Sequence, residues 1–141
     1  MSEILDLENH QIWNDLEKIF SQIDVNALIE SHIDLENFTI SDYWDENHVF
    51  YEKIISVVPL KAQLESFSLN IIFEDTYTRS LLKFHYLLIA DVFEVEKNSE
   101  RDSNKVIGGI TLLYNTNLEL EDEYWDIDMS SPFVVGKCRV S

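Results

Sequence analysis

The chain has 141 residues, with 27 Asp and Glu against 10 Lys and Arg, and a formal net charge of −17. Hydrophobic residues make up 45% of it and aromatics 12%, enough apolar surface to offset ordering entropy, which excludes an acidic disordered tail. The charge argues against a direct nucleic-acid binder, which must meet phosphates with Lys and Arg, and against docking on an anionic membrane.

Ile12, Leu16, Ile19, Phe20 and Ile23 recur at helical spacing and predict a first helix, with Asn9 or Asp6 as candidate cap. Asp24 can open a second, short helix with Leu28 and Ile29 turned inward. Ser41 or Asp42 is placed to cap a third helix running toward Val58, where Pro59 would stop it. The period there is blurred, and residues 48–58 also read as a strand. From Ser66 the texture changes: Phe67, Leu69, Ile71 and Phe73 alternate with Ser68, Asn70, Ile72 and Glu74, a strand pattern. Residues 81–96 predict its antiparallel neighbour, joined through residues 75–80. A polar turn over 97–104 leads to a third strand over 105–114, and residues 133–140 predict a fourth. Within the third strand, Gly108-Gly109 lies between β-branched and apolar residues, which suits a bulge or close backbone approach better than a phosphate loop. The expected fold is α+β: a single domain in which N-terminal helices pack on an antiparallel β-sheet, residues 1–58 mainly helical and 66–140 mainly strands.

The charge is segregated. Residues 1–52 balance at −12, residues 53–105 at −1, and residues 106–128 at −6. Each acidic block contains the order acid, Tyr, Trp, acid: Asp42-Tyr43-Trp44-Asp45-Glu46 in the first and Glu121-Asp122-Glu123-Tyr124-Trp125-Asp126 in the second. Tyr and Trp anchor protein interfaces because a rigid ring buries a large area while keeping a polar edge. Flanking carboxylates add attraction for a basic partner. The plainer alternative is that Trp44 and Trp125 are core residues at element ends and the acids are simply solvated.

Signatures of catalysis are missing. His10, His32, His48 and His85 form no spaced metal pair, and the chain has one cysteine, Cys138. The carboxylates between Asp122 and Phe133 lack the glycine turn and closing Glu of a calcium loop. No catalytic, cofactor-binding or metal-binding residue is therefore expected, and no cofactor. The lone cysteine and the acidic opening MSEILDLENH point to a cytoplasmic protein.

Together these features lead us to expect a binding protein without enzymatic activity that neutralises a basic protein partner, as bacterial immunity proteins (antitoxins) inhibit cationic nuclease-type toxin domains. Three alternatives have their own signatures. A nucleic-acid mimic needs ordered rows of carboxylates, whereas a small α+β enzyme or ligand-binding protein needs an internal pocket, with Asp91 or His85 as the residues interrupting the most apolar segment. An acidic structural subunit needs an assembly to be stable.

Overall fold

A computed structural model of the chain describes residues 6–92 and 105–138. In these residues two helices, α1 (Ile12–Ser21) and α2 (Val25–His32), come first. The strands β1 (Thr39–Trp44), β2 (Phe50–Ser56), β3 (Leu60–Phe73), β4 (Thr78–Ala90), β5 (Val106–Tyr114), β6 (Leu120–Ile127) and β7 (Val134–Lys137) follow. They form two antiparallel sheets, one in the order β1-β2-β7 and one in the order β3-β4-β5-β6. The architecture is mixed α+β.

The helix periodicity is realised in α1. Neither Asn9 nor Asp6 caps it, however: Gln11 holds the cap position without a side-chain bond, and the Asp6 carboxylate binds Asn9 instead. Asp24 does cap α2, its carboxylate accepting from the Ala27 amide at 3.0 Å. The third helix expected toward Val58 does not form. Its place is taken by the β1–β2 hairpin, so residues 6–58 hold two helices and then a hairpin rather than being mainly helical, and the strand reading of residues 48–58 matches β2. The aromatic and β-branched run Phe50-Tyr51 to Ile54-Ile55 suits a strand. The Asp45 carboxylate closes the turn by accepting from the Asn47 and Val49 amides at 2.8 and 2.9 Å.

The expected hairpin of β3 and β4 forms, but β3 begins earlier than the alternation, at Leu60, and β4 opens already at Thr78. The turn runs between Glu74 and Tyr77, whose backbones bond at 2.8 Å. β5 matches the third expected strand. The alternation of residues 93–96 and the turn over 97–104 fall outside the described residues. β6, an acidic segment with no clean alternation, was not anticipated as a strand and pairs along β5. β7 joins β2 and not the larger sheet, and residues 139 and 140 of that expected strand lie outside the described residues.

One face of the four-stranded sheet forms the core. Phe84, Tyr86 and Leu88 of β4 alternate inward, and Phe84 and Tyr86 stand opposite Leu112 and Ile110 of β5. Complete burial of each such side chain contributes about 1.5–3 kcal/mol. Ile54 from β2, Phe38 before β1 and Ile29 from α2 join the same cluster. The Tyr86 hydroxyl donates to the Val25 carbonyl at 2.6 Å, and burial pushes its phenol far above the ordinary tyrosine range. Phe20, Phe67, Phe84 and Tyr114 continue as a chain of rings with centroids 5.3, 5.0 and 5.7 Å apart, running from α1 into the sheet. Gly108, at φ +153°, sits where a Cβ would come within 2.1 Å of the Asp126 carbonyl oxygen, the close approach expected of that glycine pair.

Candidate protein-interaction surface

The first acid-aromatic segment ends β1. Asp42 adopts φ 57° and is skipped in the register between Ser41↔Lys53 and Tyr43↔Tyr51, so the backbone is irregular just before the aromatics. Tyr43 turns inward and packs against the core. Trp44 stays 63% exposed, its ring resting on Phe50 at a centroid distance of 4.9 Å. Asp45 is engaged in the hairpin turn, while Asp42 and Glu46 are exposed. Partial burial and the neighbouring Asp45 carboxylate push the Tyr51 phenol up.

β6 divides the second segment between its two sides. A register shift between Leu113 and Tyr114 leaves Glu121 opposite no residue, and its carboxylate takes the Arg79 guanidinium at 2.9 Å. Asp122 accepts from the Glu123 amide at 2.8 Å and from the Tyr124 hydroxyl at 2.9 Å, which pushes the Tyr124 phenol up. Tyr124 and Asp126 are exposed. Glu123 contacts the His32 imidazole, and Trp125 is half-buried with its ring 5.7 Å from that of buried Phe38. Of the two tryptophans, then, Trp44 is displayed and Trp125 packs against the core.

β1 and β6 are terminal strands of their sheets, and the fold brings them together. The Ile127 amide at the end of β6 donates to the Tyr43 hydroxyl at 3.0 Å. Beside this bond, His32 and Asp34 line a shallow pocket of about 300 Å³ with Thr39 to Ser41 of β1 and with Glu123 and Trp125 of β6. His32 and Asp34 also line a wider cleft of about 820 Å³ with Glu30, Glu36 and Asp91. The two acid-aromatic segments, distant in sequence, are thus neighbours in space. His32 and Asp34 were not singled out from sequence, since contact with Glu123 depends on long-range pairing that no local pattern encodes.

Comparison of the chain with protein-family models, with curated proteins and with solved structures finds no match. The site must therefore be read from its own chemistry. Among the described residues no three His, Cys, Asp or Glu side chains converge as a metal site. Asp91 pairs with Lys61 at 3.7 Å and lines the acidic cleft, whereas His85 bonds Thr111 at 2.8 Å and has Glu65 at 3.5 Å. Cys138 is a free, exposed thiol. No helix among the described residues is long and apolar enough to cross a membrane.

Proposed function

We propose that this domain is an inhibitory binding protein for a basic protein, acting as a bacterial immunity protein acts on a cationic nuclease-type toxin. The observation that carries the reading is the meeting of the two acid-aromatic segments at the β1–β6 junction, tied by the Tyr43–Ile127 bond. On this reading Asp42, Trp44, Glu46, Asp122, Tyr124 and Asp126 make the outer contact. Tyr43, Asp45, Glu121, Glu123 and Trp125 hold those residues in place through bonds and packing within the fold. A nuclease must carry Lys and Arg to hold phosphates, so an acidic surface can overlay that same region. Charge supplies rapid encounter and partner choice, and the exposed rings supply residence time.

The reading also takes the two helices as a layer packed on the antiparallel sheet, supported by the Tyr86–Val25 bond and the Phe20–Phe67 contact. It places the protein in the cytoplasm, with no cofactor and no catalytic group.

Its test is affinity capture from the native host at low salt. The wild-type chain should retain a basic protein encoded nearby, and that protein should be toxic when expressed without the domain. A variant with Asp42→Asn, Glu46→Gln and Asp126→Asn should retain much less of it. Equal retention by both chains, or capture of no basic protein, would overturn the proposal.

A further inference from the structure

α1 has a strongly apolar side, yet none of its residues is fully buried. That side leaves a groove of about 480 Å³ against β3, lined by Trp13, Leu16, Phe20, Leu64, Phe67 and Leu69. The charged residues of the lining are Glu17 and Glu65. Beyond the groove β3 runs past the core. Leu69, Ile71 and Phe73 lie on the same side as Phe67, since strand positions alternate, and Ile71 and Phe73 are 56% and 79% exposed. Their partners across the hairpin explain the exposure: Ile71 stands opposite Ser80 and Phe73 opposite Thr78, so β4 offers them no apolar cover. A contiguous apolar strip of this kind marks an interaction site more than scattered surface leucines do.

The rim is acidic. Glu74 and Asp75 follow Phe73 directly, and the nearby Arg79 guanidinium is held between Glu74 at 3.3 Å and Glu121 at 2.9 Å. A second copy seated here would bring two such rims together in a chain already at −17, whereas a cationic occupant meets opposite charge. We propose that the α1–β3 groove, extended by Leu69, Ile71 and Phe73, docks an amphipathic cationic segment of the basic partner, its apolar side chains on the strip and its Lys or Arg against the rim. The inference rests on the proposed function and adds a contact at the β3 edge, the opposite edge of the four-stranded sheet from β6.

The test is calorimetric titration with three synthetic peptides of equal length: an amphipathic Lys/Leu peptide, a Lys/Ser peptide of the same charge, and a Glu/Leu peptide. The Lys/Leu peptide should bind about tenfold or more tighter than the Lys/Ser peptide. The double variant Ile71→Ser, Phe73→Ser should abolish that advantage, leave Lys/Ser binding unchanged and keep the native circular dichroism spectrum, and Phe73→Leu should restore much of the advantage. Equal binding of the Lys/Leu and Lys/Ser peptides, an advantage that survives the double variant, or equally tight Glu/Leu binding overturns this inference alone. So does a dimer in sedimentation that the double variant dissolves, since the occupant is then a second copy. Failure of the Lys/Ser peptide to bind at low salt overturns the proposed function and this inference with it.

Discussion

The Tyr43 hydroxyl accepts a hydrogen bond from the Ile127 amide at 3.0 Å, joining the edge of one sheet to the edge of the other. Ile127 is buried, so water cannot replace the lost acceptor freely. A buried amide left without a partner costs about 1–3 kcal/mol. Tyr43→Phe should destabilise the protein by that amount in urea unfolding. Tyr124→Phe, at an exposed hydroxyl, should stay within about 0.5 kcal/mol of wild type.

The tryptophans should separate. Trp125 leans on Phe38 in the core, and Trp125→Ala should cost about 2–3 kcal/mol of stability. Trp44 touches Phe50 but is largely exposed, so Trp44→Ala should cost about 1 kcal/mol or less in the free protein. In the complex Trp44→Ala should weaken partner binding by about tenfold or more. Unfolding of the free chain by both substitutions would make both rings core residues and remove Trp44 as an anchor.

Gly108 tolerates no side chain. Its φ of +153° is unfavourable for L residues, and an added methyl would meet the Asp126 carbonyl, which is backbone and cannot swing aside. Gly108→Ala should cost about 3 kcal/mol or more, read as a shift of the denaturation midpoint at constant slope. Because the clash falls on β6, the variant should also weaken partner binding.

Alkaline pH should unfold the protein before the native tyrosines all titrate. Burial raises Tyr86 and Tyr114, so in the native state both stay neutral above pH 10, while in the unfolded chain they ionise near it. The unfolded state thus binds fewer protons above about pH 10, and stability falls as pH rises. Their contribution is complete below the unfolded value and is lost through the folded ones. Ultraviolet titration should show a delayed fraction of the six tyrosines, released together with loss of the near-ultraviolet circular dichroism signal. Titration of all six near pH 10 in a folded protein would contradict the burial.

Local patterns were readable where one side-chain period runs unbroken over several residues, whether or not those residues are buried. Ile12 to Phe20 and Phe67 to Phe73 each show one period over several residues, and α1 and β3 follow from it. Gly108 was legible for the same reason, since glycines inside a β-branched run point to close approach. The β1–β2 region was harder: Asp42 takes a positive φ inside β1, and the half-buried Ile40 and Tyr43 on either side of it break the alternation by which a strand is recognised. β6 escaped because Glu123 stands opposite buried Leu112, a position that an apolar residue normally holds, and contacts His32 from a distant element, while Glu121 falls in the register shift and pairs with Arg79. The acid-aromatic segments were visible as sequence, but their meeting depends on which strands end each sheet. The exposed Phe73 was read only as part of a strand, because the alternation does not show where the core stops.

On the proposed function the acidic surface captures a basic protein by charge-steered encounter. The most direct measurement is the association rate constant between the wild-type chain and the basic protein it retains from its host, followed over rising NaCl. The rate constant should fall by about tenfold or more with salt, and should be lower and less salt-dependent in the Asp42→Asn, Glu46→Gln, Asp126→Asn variant. A rate constant indifferent to salt and to these substitutions would contradict it.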